Sequence, residues 1–160
     1  MVTIRLQRED FDAAAETAAL TRGRTDVGAL ATFIGICRDT EGGERIAAMT
    51  LEHYPDMAEV EIARHVAEAE QRWPLLGVMV IHRYGRLVPG DKIVLVATAA
   101  RHRADAFAAA EFLMDYLKTR APFWKQEERA GGTHWIAAKE TDDAAAGRWR
   151  APRAPRDAAE

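Results

Sequence analysis

Two lysines stand on either side of a proline in the segment "MDYLKTRAPFWKQE", residues 114–127. Lys118 falls at the end of an apolar helical pattern, and Lys125 follows seven positions later. Because Pro122 ends the helix, the two ammonium groups meet only if the extended segment after the proline folds back. If they do meet, each cation disfavours protonation of the other. A lysine in that setting can act as an acid, a base or a nucleophile.

The position of Lys118 also has a purely structural explanation. A cation in the last turn of a helix is favoured by the helix dipole by about 0.3–1 kcal/mol. The sequence therefore permits either a structural charge or a member of a reactive pair.

Two further places gather positive charge. The string "RHRADAF" puts Arg101, His102 and Arg103 at the start of the same predicted helix, either as an anion site with the free backbone N–H groups or as a solvated basic turn. Arg38 stands where a buried strand becomes a loop, as a phosphate ligand or a simple strand-end charge. Cys37 beside it suggests either sulfur chemistry or an inert buried thiol, and we expect the buried thiol. Surface or packing positions are expected for His53, His65, His82 and His134.

The composition limits the class of protein. The chain has 160 residues, 48% of them hydrophobic and 29% charged, which predicts one globular domain over residues 1–149. Residues 150–160 are rich in Arg, Pro and Ala, and we expect a disordered tail. A net charge of −3 provides no overall basic field for nucleic acid, and the single cysteine excludes an internal disulfide.

Metal sites and membrane spans are not indicated by the sequence. No Cys/His spacing predicts a zinc site, and no apolar run approaches the roughly 20 residues that cross a bilayer. We therefore expect a cytoplasmic protein that carries neither a metal nor an organic cofactor.

Strands and helices must position these groups. Apolar patterns predict helices over 10–22, 55–73 and 104–119, and strands over 2–6, 28–36, 47–54, 77–85, 92–100 and 133–140. The polar segment 38–46 is predicted as a loop. The first helix is predicted to have Phe11, Ala14, Ala15, Ala18 and Ala19 on one face, and the last helix to bury Phe107, Ala110, Leu113, Met114 and Leu117.

A Pro-Gly-Asp turn between the strands at 77–85 and 92–100 predicts an antiparallel pair. Because strands alternate with two long helices and at least one hairpin is present, the chain is predicted to have an α+β fold rather than a doubly wound parallel sheet.

Three strings, "TLEHYPDM", "RWPLLGVMVIHRYGRLVPGD" and "FLMDYLKTRAPFWKQE", resemble the large, catalytic subunit of molybdopterin synthase. The resemblance runs from Thr25 to Trp149. It implies an α/β-hammerhead fold with a mixed or antiparallel sheet and two main helices. It also implies a homodimer of this subunit with a small ubiquitin-like sulfur-carrier subunit at each end, together a heterotetramer.

The implied activity is that of a sulfurtransferase in molybdenum cofactor biosynthesis. The C-terminal thiocarboxylate of the carrier would deliver sulfur to cyclic pyranopterin monophosphate, and two deliveries would make the dithiolene of molybdopterin. Because the phosphate and the thiocarboxylate are both anions, the pocket must be cationic.

The resemblance also assigns site residues. Lys118 and Lys125 match the family's two essential lysines. Lys118 would lie nearest the thiocarboxylate carbon as general acid/base or transient nucleophile, with Lys125 as its electrostatic and proton-transfer partner. Positions that line the substrate pocket match Ile36, Cys37, Arg38, His102, Arg103, Gln126, Glu127 and Lys139. We expect some of them to serve the neighbouring subunit's site, since the family's pocket lies near the dimer interface.

Three positions depart from the family's pattern. Ile36 and Cys37 stand where a polar or basic residue and a valine are expected. Lys139 stands where an arginine is common, and lysine lacks the two-pronged grip of arginine on phosphate.

Two other functions remain open on the residues alone. In the first, Lys118 forms a Schiff base with a carbonyl substrate or a pyridoxal cofactor. In the second, the chain only docks a ubiquitin-like partner through an apolar groove near Phe123 and Trp124, without catalysis.

Overall fold

The computed structural model of the chain describes residues 1–137 and 140–150. Lys139 and residues 151–160, which make up most of the predicted tail, lie outside the described residues. The strands are β1 Val2–Gln7, β2 Ala29–Ile36, β3 Thr40–Glu41, β4 Glu44–His53, β5 Leu75–Arg83, β6 Gly85–Leu87, β7 Lys92–Ala100, β8 Phe123–Arg129 and β9 Gly132–Ile136. The helices are α1 Ala13–Thr21, α2 Pro55–Arg72, α3 Arg103–Thr119 and α4 Glu140–Gly147, followed by a 3-10 turn at Arg148–Arg150.

The larger sheet has the strand order β1-β5-β7-β2 and carries most of the core. Strand β1 is parallel to β5, whereas β5–β7 and β7–β2 are antiparallel, so the predicted hairpin is confirmed. Alternate residues of β5 point to opposite faces. Val78 and Val80 pack with α2 and α3, while Met79 and Ile81 pack with Phe11 and Leu20 around α1. The mixed sheet with helices on both faces confirms the predicted α+β class.

The two long helices follow their sequence signals. Pro55 occupies the first turn of α2, where its missing N–H costs nothing, and the predicted stripe is buried. That stripe consists of Ile62, Val66, Ala69 and Trp73. Helix α3 packs on the same face of the sheet and ends at Thr119, close to the predicted end.

The smaller sheet has the order β3-β4-β8-β9, and β6 also pairs with β4. The segment predicted as a loop, residues 38–46, contains the β3–β4 hairpin, so that prediction is wrong. Gly42 and Gly43 both have positive φ, 59° and 83°. A two-residue turn with positive φ at both positions has a twist that matches antiparallel strands. The Gly-Gly pair is therefore typical of a hairpin.

Other sequence predictions also need correction. Phe11 of the face predicted for the first helix is buried, but the four alanines predicted beside it are exposed, and α1 buries Leu20 instead. Large side chains remove more apolar area from water than alanine does, so they decide which face is buried. Phe107 is 66% exposed rather than buried. The last strand ends at Ile136, and helix α4 was not predicted.

Among the residues that the structure describes, no helix is both long and apolar enough to cross a membrane.

Candidate functional site

Lys118 lies in the last turn of α3 and is exposed. The N–H of Arg120 still donates to the carbonyl oxygen of Tyr116, and the helix ends there because Pro122 has no N–H and disfavours a helical conformation at the residue before it. Lys118 makes no ion pair or hydrogen bond with any residue in the described part of the chain. Its ammonium is therefore available to a ligand.

Lys125 returns to the end of this helix on strand β8. Strand β8 pairs with β4, which places Lys125 opposite Leu51, and with β9, which places it opposite Ile136. The chain therefore folds back after the proline. Both lysines line one cavity of about 220 Å³, which we call the lysine cavity. Its wall also includes Arg38 and apolar side chains from β4, β7 and α3.

A buried carboxylate stands beside Lys125. Glu127 has no exposed surface, and its Oε1 lies 2.8 Å from Nζ of Lys125. Its other oxygen accepts hydrogen bonds from Arg129, with Nη2 at 2.6 Å. Arg129 also pairs with Glu44 on the paired strand β4. Because Glu127 lies two positions after Lys125 on a strand, the two side chains share one face of the sheet.

Opposing effects act on the ionisation of Glu127. Burial would raise the pKa of this carboxyl, but Lys125 and Arg129 outweigh that effect and hold its pKa below the ordinary value. Glu127 is therefore a stable anion at neutral pH. The charged group in contact with Lys125 is this carboxylate, and not the ammonium of Lys118 that the sequence suggested.

Arg38 follows the end of β2 and reaches the lysine cavity. It pairs with Glu41 of strand β3, yet its side chain is 66% exposed. Ile36 is 54% exposed and does not line the cavity. The structure thus brings Arg38, but not the side chain of Ile36, to the two lysines.

Cys37 is buried against Met49, Leu51 and Leu87. Its backbone N–H donates to the carbonyl oxygen of Asp91, which fixes the end of β2. Burial raises the pKa of the Cys37 thiol, although Lys125 partly opposes the shift. The predicted buried position is confirmed, and a raised pKa disfavours the reactive thiolate.

His102 and Arg103 lie at the other end of α3. His102 immediately precedes the helix, Arg103 begins it, and both are exposed. Fifteen residues separate Arg103 from Lys118, which corresponds to about 22 Å along the helix axis. A single copy of the chain therefore does not bring these two residues to its own lysine cavity.

Gln126 lies on the opposite face of β8 from Lys125, between Thr50 of β4 and Trp135 of β9. The same alternation separates Phe123 from Trp124, which divides the apolar groove predicted near them. Phe123 lines the lysine cavity, whereas Trp124 is 40% exposed on the outer face.

His82 is a cavity residue that the sequence analysis placed only at the surface or in packing. It lies near the end of β5, is 6% exposed and lines the lysine cavity. Its ring stacks on Phe123, with ring centroids 4.1 Å apart. The alternation of side chains along β5 could have predicted this position, because His82 lies on the same face as Val78 and Val80, which pack on the helices.

The lysine cavity combines the cations of Lys118, Lys125 and Arg38 with a largely apolar lining. Such a site can bind an anion, stabilise developing negative charge and exchange protons with it. Within the described ranges, no group of three or more His, Cys, Asp or Glu side chains could hold a metal ion.

Comparison with known proteins adds to this geometry. A profile of the family described as MoaE protein matches residues 6–120. The molybdopterin synthase catalytic subunit of Mesorhizobium japonicum is 60% identical over 150 residues, which cover 92% of this chain and 93% of that relative.

Two solved structures are also similar. The molybdopterin biosynthesis MoaE protein from Burkholderia ambifaria matches with a TM-score of 0.79 and 54% identity, over 93% of this chain and 98% of that chain. Molybdopterin synthase from Staphylococcus aureus matches with a TM-score of 0.75 and 28% identity, over 82% of this chain and 95% of that chain. The similarity therefore includes the elements that build the lysine cavity.

Proposed function

The chain belongs to the MoaE protein family, and from this membership we infer that it is the catalytic subunit of a molybdopterin synthase. It is an enzyme of molybdenum cofactor biosynthesis with the α/β-hammerhead fold of that family. It transfers sulfur from the C-terminal thiocarboxylate of a small ubiquitin-like carrier subunit to cyclic pyranopterin monophosphate. Two transfers produce the dithiolene of molybdopterin.

One observation supports this function most directly. Lys118 and Lys125 come from different elements, yet both line the lysine cavity. Both reactants are anionic, so a cavity with two ammonium groups and an apolar wall can hold them together and exclude water. Arg38 adds a guanidinium at the cavity's rim, where its fork of N–H donors fits a phosphate.

The two lysines differ in role. Lys118 forms no ion pair among the described residues, so its amine can approach the thiocarboxylate carbon as general acid/base or transient nucleophile. Lys125 is held by Glu127 and supplies a fixed positive charge, with a part in proton transfer. Glu127 therefore supports Lys125 rather than binding substrate directly, since both of its oxygens are engaged.

The reaction replaces a carbon–oxygen bond by a carbon–sulfur bond. The departing oxygen takes up a proton and leaves as water, and a water molecule supplies the oxygen that the carrier's acyl carbon takes up as sulfur leaves it. Donor groups on both sides of the cavity, Lys118 on α3 and Lys125 on β8, can serve these steps.

Residues that lie far from the cavity act across the assembly. The catalytic subunit forms a homodimer that carries one small carrier subunit at each end. We place His102 and Arg103 at the neighbouring copy's lysine cavity, because about 22 Å of helix separates them from their own. Gln126 faces away from the cavity of its own chain, and Lys139 stays a candidate phosphate ligand that lies outside the described residues.

The working enzyme needs no metal or organic cofactor in this proposal, and its place is the cytoplasm. Metal analysis of the purified protein tests the first statement, and stoichiometric zinc would contradict it.

A single-turnover assay tests the function. The purified chain, a thiocarboxylated carrier and cyclic pyranopterin monophosphate are mixed, and mass spectrometry follows the addition of two sulfurs. Product is expected only when all three are present. Binding of the carrier without sulfur transfer would favour a docking protein, and a borohydride-trapped adduct of Lys118 with a carbonyl compound would favour Schiff-base chemistry.

A further inference from the structure

His82 is placed and oriented as a site residue. Only 6% of its surface is exposed, and it lies in the wall of the lysine cavity. Its neighbours in that wall include Lys118 and Val94, its partner across the sheet. No assigned step of the reaction uses this ring.

The tautomer of His82 is set by the backbone. Nδ1 lies 2.8 Å from the carbonyl oxygen of Arg83, and since a carbonyl only accepts, Nδ1 carries the proton. Burial lowers the pKa of His82 to about 4, and the charges of His53 and Lys118 add to the effect. The ring is therefore neutral at pH 7, and Nε2 has a free lone pair.

The ring is also held in place. Its plane lies at 16° to the ring of Phe123, with centroids 4.1 Å apart. Phe123 is on the same strand face as Lys125, so the element that carries one lysine braces the histidine beside the other. Nε2 has no hydrogen-bond partner in the described portion of the chain.

The cations of the cavity need an acceptor, because Lys118, Lys125 and Arg38 only donate. The described wall also includes the carboxylate of Asp142, but it forms no ion pair with either lysine, whereas the His82 ring is fixed by its stack on Phe123. Lys125 already has the carboxylate of Glu127, whereas Lys118 has a long flexible side chain and no partner within the described ranges. Its charge acts on His82, so the two groups lie within electrostatic reach.

We propose that His82 is a positioning residue whose Nε2 accepts a hydrogen bond from the Lys118 amine and holds it in the lysine cavity. This proposal rests on the proposed function for its catalytic meaning. A neutral acceptor differs from a carboxylate in one respect that matters here. It orients the Lys118 amine without adding a negative charge to the cavity. Lys125, in contrast, is held by the carboxylate of Glu127.

The test compares substitutions of two similar histidines. His82→Phe keeps a flat ring against Phe123 but removes both nitrogens, and His82→Gln restores an acceptor. His65 is the matched control, since it is 5% exposed, has Nδ1 bonded to a backbone carbonyl and stacks on Tyr116, yet does not line the lysine cavity.

The first readout does not depend on catalysis. The intact chain is labelled with an amine-reactive reagent, and mass spectrometry measures the labelling rate at each lysine. His82→Phe is expected to change the Lys118 rate by about threefold or more, with Lys125 unchanged and His82→Gln close to the wild type. His65→Phe should change neither lysine. An unchanged Lys118 rate in folded His82→Phe overturns the proposal.

The second readout is the rate of sulfur transfer measured over a range of substrate concentrations up to saturation. His82→Phe is expected to lower the rate by about tenfold to a hundredfold with little change in KM, and His82→Gln to recover most of it. A change confined to KM would assign His82 to substrate binding and overturn the positioning role. If the wild type transfers no sulfur, the proposed function fails, while the labelling result still decides the His82–Lys118 contact.

Discussion

The ammonium of Lys125 lies 2.8 Å from Oε1 of Glu127, a carboxylate with no exposed surface. Lys118, on the other wall of the same cavity, has no ion pair within the described part of the chain. The two lysines that the sequence pairs by spacing are therefore electrostatically different. Substitutions of the two lysines, and of the residues that support them, should therefore have different effects on activity and stability.

Removal of the Lys118 amine should stop the chemistry without harming the fold. We expect Lys118→Ala to lower sulfur transfer by about 10²–10⁴-fold, because a general acid–base group contributes that much. Carrier binding and the thermal midpoint should stay near the wild type, since Lys118 is exposed. Lys92→Ala is the control, because Lys92 pairs with Asp10 outside the cavity. Near-normal turnover of Lys118→Ala would refute its catalytic role.

Neutralisation of Glu127 should cost both stability and activity. Glu127→Gln leaves the cations of Lys125 and Arg129 without their shared anion, so we expect a loss of about 3 kcal/mol in unfolding free energy. Glu128→Gln is a matched control on the same strand, because its pair with Arg86 is exposed to solvent and we expect a much smaller loss. Urea unfolding measures both. Equal costs for the two variants would contradict the support that Glu127 gives to Lys125.

Stability should fall as the pH is lowered from about 6.5, and His82 should be one cause. Its folded pKa of about 4 is below its ordinary value of 6.5, so the unfolded chain binds more protons in this window. Stability contributed by the neutral ring is present above 6.5 and lost as the pH falls toward 4. We expect His82→Phe to reduce the loss between pH 7.5 and 5 by about 2 kcal/mol. An unaltered pH slope in that variant would contradict a buried neutral ring.

The Cys37 thiol should be unreactive and dispensable for the chemistry. Burial raises its pKa, so we expect little alkylation by iodoacetamide at pH 8 in the folded protein and rapid alkylation in guanidinium. Cys37→Ala should keep sulfur transfer within about threefold, since the cost is mainly a small cavity beside Met49 and Leu51. Loss of turnover in a folded Cys37→Ala protein would indicate direct participation of the thiol.

Gly28 should be needed for the approach to helix α3. A Cβ at Gly28 would overlap the carbonyl oxygen of Arg101, so Gly28→Ala must displace the backbone next to His102. We expect a lower thermal midpoint and, in the assembled enzyme, slower turnover. Gly147→Ala is the control, because a Cβ there meets no atom and alanine favours the helix by up to about 1 kcal/mol. Identical thermal midpoints for the two variants would show that the space at Gly28 does not require glycine.

Periodicity and proline placement predicted much of the fold. The stripe from Ile62 to Trp73, the hairpin of β5 and β7 and the end of α3 before Pro122 all follow from local rules. These local rules failed where contacts with other helices and strands determine which side chains are buried. Phe107 fits a helical apolar pattern but faces outward, because the sheet beneath α3 is already covered by other side chains.

The candidate site was predictable only in part. The lysine pair could be expected from charge gathered around a proline, since such charge is unusual beside apolar residues. The role of Glu127 depends on strand alternation in β8 and on Arg129, which no spacing rule singled out. His82 needed the face of β5 that meets α3, information that is set by tertiary packing rather than by sequence distance.

The length of the connection from Thr119 to Phe123 determines which side chains of β8 face the lysine cavity. Strand β8 begins directly after this connection, and its side chains alternate with a period of two. One residue inserted beside Pro122 would either bulge the connection or slip β8 against β4 by one position. A slip would carry Trp124 to the place of Lys125, so the cavity would exchange an ammonium for an indole. Insertions and deletions should therefore be rejected in this connection.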